Sequence, residues 1–394
     1  MFKYARALDA CLMAVPTWLR RVVLVVTVLV MVSVSIPNVP RQYIDYSRLP
    51  LLSHIQQQET YGTDTIADMY AAKVVLNDVS DMYTRTRLEQ TPLEARTWSK
   101  EASAPYPPVT LLTEAGLYAI GEWTGAGFYG MIFGLACLFV ALSLVYFIRT
   151  RWYLFPLLYL NFFYFSQRFV YVQDDSYLVM LVVVMAALLL ARRRHEAAHT
   201  LMAIAITMKL SPLYYARHVL GMKRGTGILF ASVLAAGLLL PYFIFDNYLY
   251  IYRYGSALKG NWLSGASALV VVIPFTVILW YVETRLNFDM EDRIGWGLVP
   301  LAMLMGFKMN VARHLLIVLL VPDKRGVRNV AAAVGLGIPA LFPTFIHFNS
   351  SLSVAAAVLF VGLIGYLEQI GWDVVRDDVQ HPMRTAHMML GRMS

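Results

Sequence analysis

Long uninterrupted apolar runs constrain this chain more than any other feature. Runs such as 177–191 and 352–367 contain no charged residue. A bilayer admits only helices or closed barrels, because backbone polar groups find no water there. The runs are continuous rather than alternating, which favours helices. With 58% of 394 residues apolar and 15% charged, a soluble domain is excluded. The sequence predicts an all-α, polytopic transmembrane protein: a single membrane domain over residues 1–394 with about 10–12 spans.

The basic residues lie in short clusters between the apolar runs, so the net charge of +8 indicates membrane topology rather than nucleic-acid binding. With the N-terminus in the cytoplasm, the predicted inner loops are 149–151, 192–195, 223–224, 285–293 and 323–328. The first run, 22–36, ends in Pro37-Asn38-Val39-Pro40 without a cleavage pattern, so we expect a retained helix. The two cysteines, Cys11 and Cys137, support neither a disulfide framework nor a cysteine metal site.

The only large extramembrane part is the polar, acid-rich stretch 37–107, which we expect to be an extracytoplasmic loop with short amphipathic helices. The other predicted outer segments are short: 173–175, 246–265, 310–314 and 347–351. The segment 200–220 is flanked by basic loops yet contains Lys209, Ser211 and Pro212. A Pro-broken, re-entrant pair of short helices accounts for both properties.

Asp64 and Asp68 are the candidate catalytic carboxylates. The stretch 61–72 is predicted to start as a turn and continue as a helix, with Thr63 or Asp64 as its N-cap. Residues four apart share one helix face, so both carboxylates would lie together at the membrane surface. There a carboxylate can accept a proton from an attacking hydroxyl. The structural alternative is that Asp64 caps the helix and Asp68 is solvated.

Further candidates for substrate binding lie in other outer segments. Tyr106 lies in a rigid Pro-Tyr-Pro-Pro stretch leading into the apolar run 109–120. Gln173, Asp174 and Asp175 form an acidic turn that either holds a cation, orients substrate hydroxyls or caps a helix starting at Ser176. Asn261 and Trp262 follow a tyrosine-rich stretch. Such aromatic residues suit either a membrane-interface belt or sugar stacking.

Four cationic or titratable residues lie within or at the ends of apolar segments: Lys209, Lys308, Arg313 and His314. A charged side chain at membrane depth costs about 2.5–3.5 kcal/mol on insertion scales, so each needs a partner or a function. A lipid phosphate is one partner that fits. Snorkelling of Lys308 and Arg313 to the interface, and ordinary packing of His314, are the structural alternatives.

The order of these segments resembles the GT-C superfamily of glycosyltransferases, and most closely the bacterial polyprenyl-phosphate-mannose-dependent mannosyltransferases. The resemblance extends from about Val22 to Val321. It rests on the first helix, the outer loop with its Asp-Met-Tyr-Ala-Ala helix, the Tyr-Pro-Pro-Val stretch, the polar turn, the Lys-Leu-Ser-Pro segment and the late His motif.

The resemblance implies an inverting enzyme in a bacterial plasma membrane that transfers a single sugar from a polyprenyl-phosphate donor to an extracytoplasmic hydroxyl acceptor. The family's catalytic base corresponds to Asp64, with Asp68 the alternative. Its Lys-x-x-Pro element corresponds to Lys209 and Pro212, and its late His element to His314 with Arg313. These residues would neutralise the departing polyprenyl phosphate.

No Gly-rich nucleotide-binding loop occurs, in agreement with a lipid-linked donor rather than a nucleotide sugar. The alternatives are a lipid-linked saccharide transporter or flippase, and a polysaccharide polymerase or ligase. The sugar, of mannose or arabinose type, and the acceptor, whether glycolipid, glycan or protein, stay open. A divalent cation would bind only if the fold brings Asp64, Asp68, Asp174 and Asp175 together, and no other cofactor is expected.

Overall fold

The protein is helical in the part that the computed structural model describes. That part comprises residues 2–35, 46–50, 53–54, 63–79, 107–156, 176–208, 222–245, 248, 262–289, 292–293, 296 and 361–391. None of these residues belongs to a β-strand. The predicted all-α class is therefore confirmed for the described ranges.

Twelve labelled helices follow one another in the described ranges. They are α1 (Phe2–Ala14), α2 (Thr17–Ser35), α3 (Thr63–Asn77), α4 (Pro108–Thr124), α5 (Gly127–Arg149), α6 (Ser176–Ala191), α7 (His195–Met208), α8 (Arg224–Leu238), α9 (Leu240–Ile244), α10 (Trp262–Arg285), α11 (Trp372–Gln380) and α12 (Pro382–Gly391). A helical stretch over 361–370 precedes α11. Helix α3 falls within the predicted outer loop 37–107.

The centre of the described fold is a ring of four helices, α4 to α7. Each packs against the next along the chain, and α4 also contacts α7, which closes the ring. Helix α3 packs on α4 from outside and α8 packs on α7. Fully buried apolar side chains such as Phe139, Val184 and Ile206 fill the interior. Helix α6 consists almost entirely of apolar residues, as expected of a helix surrounded by others.

Small residues set the closest helix crossings. A methyl group at Gly237 on α8 would lie 2.2 Å from the Cγ2 atom of Thr207 on α7, so only glycine permits this approach. Helices in membranes commonly associate through such small residues, because lipid supplies no hydrophobic drive to press them together. The α4–α5 turn also depends on a glycine: Gly125 ends α4 with a φ of 73°, in the left-handed region.

Membrane character is supported by two helical stretches that are long and apolar enough to cross a bilayer. They are α5 and the run Arg224–Ile244 formed by α8 and α9, with a third if the bent pair α1 and α2 counts as one span. Only 11% of the most apolar part of Arg224–Ile244 is buried within the protein. A large exposed apolar surface of this kind matches a lipid environment. The larger predicted number of spans stays a prediction.

The boundaries of the apolar helices agree well with the sequence. The apolar run 128–148 corresponds to α5, and the run 177–191 to α6, which begins at Ser176. Several predicted loop limits need correction. Arg149, Arg224 and Arg285, at the ends of predicted inner loops, are terminal residues of α5, α8 and α10. Helix α7 already begins at His195, within the predicted inner loop 192–195. Helix α10 begins at Trp262, so the outer segment predicted to reach Gly265 ends earlier.

Candidate functional site

Helix α3 carries both candidate carboxylates. It begins at Thr63, so Asp64 lies in its first turn and Asp68 one turn later, as the spacing predicted. A carboxylate in the first turn complements the positive end of the helix dipole, so the structural alternative stays open. The helix is held against α4 through Ala72 and Val75, which are both buried.

A cation–π contact also joins α3 to α4. The Nζ atom of Lys73 lies 5.5 Å from the centre of the Tyr118 ring, within the range of favourable attraction. Apolar packing and this contact together fix α3 on the ring of helices. The backbone that carries Asp64 and Asp68 is therefore attached to α4.

The start of α4 forms the second part of the candidate site. Pro107 is extended, with φ −60° and ψ 154°, and Pro108 is the first helical residue, where its missing N–H costs nothing. Pro107, the last residue before α4 in the predicted lead-in, is thus extended, and Pro105 and Tyr106 lie outside the described ranges. The hydroxyl of Thr110 donates a 2.5 Å hydrogen bond to the backbone carbonyl oxygen of Met208.

That hydrogen bond ties α4 to the C-terminal end of α7. Met208 is the last residue of α7, and Lys209 follows it directly in the chain. A carbonyl at a helix end lacks an intrahelical partner, and the Thr110 hydroxyl satisfies this one. Helix α4 thereby joins α3, which carries Asp64 and Asp68, to the point where the Lys-Leu-Ser-Pro segment begins.

Glu114 is a buried acid of α4 that the sequence patterns did not single out. It lies one helical turn after Thr110 and is fully buried on the face of α4 that also carries Leu111 and Ala115. A fully buried glutamate is rare in folded proteins unless it is paired, so Glu114 is a candidate for a role at the site. The sequence contains this signal, because an acid stands within the apolar run 109–120, four residues after Thr110.

The remaining predicted site residues lie outside the described ranges. They are Tyr106, Gln173, Asp174, Asp175, Lys209, Asn261, Lys308, Arg313 and His314. Trp262 is described only as the first residue of α10. Among the residues that the structure does describe, no group of three or more His, Cys, Asp or Glu side chains is arranged to hold a metal ion.

A buried ion cluster that the sequence did not predict joins the C-terminal helices to α10. Asp378 on α11 is 2% exposed. Its carboxylate accepts hydrogen bonds from the Tyr281 hydroxyl and the Arg285 Nε atom, both at 2.7 Å. A second Arg285 nitrogen binds its other oxygen, giving a two-point pair. The Thr385 hydroxyl on α12 donates to the Asp378 backbone carbonyl at 2.9 Å.

Comparison with protein families, with curated proteins and with solved structures gives no match for this chain.

Lowering the pH is expected to destabilise the C-terminal helices α11 and α12, because it protonates Asp378. Burial acts to raise the pKa of this carboxyl, but hydrogen bonds from Arg285 and Tyr281 outweigh burial and hold the pKa below its ordinary value. A pKa lower in the folded than in the unfolded state stabilises the fold above the unfolded pKa of about 3.9. The stabilisation is lost as the pH falls through the folded pKa.

Hydrogen exchange of the backbone amides in 372–391, corrected for intrinsic rates, measures this effect. In the wild type, the amides should be protected from exchange at neutral pH, and this protection should decrease when the pH is lowered below about 4. The Asp378→Asn variant should already lack that protection at neutral pH and show a flatter pH profile. Equal profiles for the two proteins would contradict this role for Asp378.

Proposed function

We propose that this protein is an inverting glycosyltransferase. It moves a single sugar from a polyprenyl-phosphate donor to a hydroxyl acceptor at the extracytoplasmic face of the membrane. The observation that carries the proposal is the convergence of two motifs on α4. Helix α3, with Asp64 and Asp68, packs on α4, and the Thr110 hydroxyl binds the carbonyl of Met208, just before Lys209. These motifs are distant in sequence, yet α4 is in contact with α3 and with the residue that precedes Lys209.

The proposed chemistry assigns a separate task to each motif. The Asp64 carboxylate, or Asp68 in its place, accepts the proton of the acceptor hydroxyl as its oxygen attacks the anomeric carbon. The bond between that carbon and the phosphate oxygen breaks, and polyprenyl phosphate leaves with the bonding electrons. Lys209 balances the charge that grows on the phosphate, assisted by Lys308, Arg313 and His314.

Acceptor and sugar binding are assigned to outer-face residues. Tyr106 precedes the buried Pro107, so it is next to the start of α4 in the chain. Trp262, the first residue of α10, stacks against the sugar in this proposal, and Asn261, directly before it in the chain, binds the sugar. Gln173, Asp174 and Asp175 directly precede α6 in the chain and are assigned to orient sugar hydroxyls or to hold a divalent cation.

The proposed orientation places the N-terminus in the cytoplasm and the active site outside. An ion pair joins Asp9 of α1 to Arg151, which follows α5, so the N-terminal helix and the loop after α5 belong to the same end of the molecule. Arg20 and Arg21, near the start of α2, and Arg149, the last residue of α5, directly adjoin these two segments. Such an accumulation of basic residues is typical of a cytoplasmic side.

Sugar transfer from a radiolabelled short-chain polyprenyl-phosphate donor to membrane acceptors tests the proposal. At equal expression, Asp64→Asn should lower transfer by about 100-fold or more, the usual contribution of a positioned base. Asp78→Asn is the matched control, because Asp78 is an exposed acid directly after the same helix, and it should retain wild-type transfer. The Asp68→Asn variant separates the two candidate bases.

Glu114 favours one alternative, a carrier for lipid-linked saccharides. If α4 lies within the membrane, its buried acid also suits a transport pathway. Folded wild-type protein that consumes no donor across several sugars, yet moves the labelled lipid across reconstituted vesicles, would replace the transferase proposal with this one. Full transfer activity in both the Asp64→Asn and Asp68→Asn variants would remove the proposed base.

A further inference from the structure

The N-terminus of the chain forms a rigid right-angled elbow. The axes of α1 and α2 meet at 89° around Pro16, which lacks an N–H and keeps the preceding residue out of helical geometry. The guanidinium of Arg20 donates to the carbonyl oxygen of Val15 at 2.6 Å and also to that of Met13. These bonds satisfy carbonyls at the end of α1, so the bend is fixed by contacts.

One face of α1 is docked on the protein. Asp9 accepts a 2.7 Å hydrogen bond from the Tyr153 hydroxyl, and its carboxylate lies 2.7 Å from the Nε atom of Arg151. The Trp152 indole donates to the backbone carbonyl of Leu12 at 3.0 Å. Three consecutive residues after α5 thus hold α1 at its bend.

The opposite face of α1 is apolar and exposed. Tyr4 is 79% exposed, Leu8 is 43% exposed, and Cys11 is also exposed. Their spacing of four and three residues places them in one stripe along the helix. We call these three residues the α1 stripe. Asp9 docks through a side chain on another face of the helix, and Leu12, which borders the stripe, docks through its backbone carbonyl.

Helix α2 has the surface expected of a membrane span. It presents exposed valines and leucines along its length, including Val25 at 57% and Leu29 at 60% exposure. Its 19 residues extend about 28 Å at 1.5 Å per residue, close to the thickness of the hydrocarbon core. If α2 crosses the bilayer, α1 at 89° lies parallel to the membrane surface.

Charge and aromatic residues around the elbow match the headgroup region. Residues 1–21 contain four basic residues, Lys3, Arg6, Arg20 and Arg21, and a single acid, Asp9, which is paired with Arg151. Trp18, two residues after the bend, is 66% exposed. Exposed tryptophan and basic residues concentrate at membrane interfaces, and excess positive charge attracts anionic lipids.

We propose that α1 is an interfacial helix that inserts the α1 stripe into the headgroup boundary of an anionic lipid surface. The stripe supplies apolar area and the basic residues supply electrostatic attraction, the two components of interfacial helix binding. The elbow holds α1 in the membrane plane on the side where α2 begins. This proposal stands independently of sugar transfer.

Spin-label accessibility in vesicles tests the proposal on the full chain. The Cys137→Ser variant leaves the native Cys11 as the single labelling site on the stripe. In that background, with Cys11→Ser added, Leu8→Cys gives a second stripe position and Ala10→Cys a control. Ala10 is an exposed residue of α1 off the stripe. Collision with oxygen reports lipid, and collision with a water-soluble nickel chelate reports water.

In vesicles of mixed phosphatidylglycerol and phosphatidylcholine, labels at 8 and 11 should show an oxygen-to-nickel collision ratio several-fold above that at 10. The ratio at 8 and 11 should fall in pure phosphatidylcholine, because the electrostatic attraction is lost. Three equal, water-like ratios in the anionic vesicles would overturn the proposal. Labels at 8 and 11 shielded from both reagents would also overturn it, since a protein surface would then cover the stripe.

Discussion

Replacing Gly121 by alanine is expected to destabilise the protein by about 2–3 kcal/mol, the upper part of the range for overpacking a tight contact. A methyl group at Gly121 would lie 2.6 Å from both the carbonyl carbon and the carbonyl oxygen of Gly127. These are backbone atoms in the turn between α4 and α5, so no side-chain rotation relieves the clash. The turn itself must open, and α4 must then shift within the ring of helices.

Thermal unfolding in detergent, together with the yield of monodisperse protein, measures the effect. Gly116→Ala is the matched control, because Gly116 lies on the same helix and a methyl group there has no neighbour within 4 Å. Glycine is a poor helix former, so this control should be neutral or stabilising by up to about 1 kcal/mol. Equal losses in both variants would rule out the turn contact as the cause, because helix propensity alone favours alanine over glycine.

Replacing Arg285 by glutamine is expected to cost about 3 kcal/mol, the lower end for breaking a buried ion pair. The carboxylate of Asp378 is 2% exposed and would lose its two-point partner, while keeping the hydrogen bond from Tyr281. Arg285 itself is 29% exposed, which limits the loss. Because Asp378 links α11 to α10, the C-terminal helices should detach before the rest of the protein unfolds.

Limited proteolysis of residues 372–391, compared with the melting of the whole protein, detects this order of events. Arg384→Gln is the matched control. Arg384 pairs with Asp377 and Asp378 from a largely exposed position, where ion pairs contribute little. If Arg384→Gln released the C-terminal helices as readily as Arg285→Gln, burial would not be the source of the stabilisation.

Local patterns in the sequence predicted the individual apolar helices well and their partners poorly. The limits of α5 and α6 follow from uninterrupted apolar runs, because a membrane span must satisfy its backbone internally. Helix α1 was missed because it is short and carries charge, and its position depends on the elbow at Pro16. Its docking to Arg151 and Tyr153 depends on residues about 140 positions away, which no local pattern reports.

In the candidate site, too, the local elements were predictable and the long-range contacts were not. The helix bearing Asp64 and Asp68 and the proline lead-in to α4 were predictable from turn and capping chemistry. The hydrogen bond from Thr110 to Met208 was not, because it joins residues 98 positions apart. The Asp378 cluster was hidden for a similar reason: Arg285 and Asp378 are 93 residues apart, and each alone resembles an ordinary basic or acidic surface residue.

The docking of α1 also imposes an order on the synthesis of the protein. Asp9 and Tyr153 are 144 residues apart, so the first helix leaves the ribosome long before its binding site exists. At about 5–20 residues per second the delay is about 7–29 s. During that interval the elbow at Pro16 can already form, since both carbonyl oxygens that Arg20 binds belong to residues within seven positions of it. The bend can thus form from local contacts alone, before the residues after α5 that bind α1 have been synthesised.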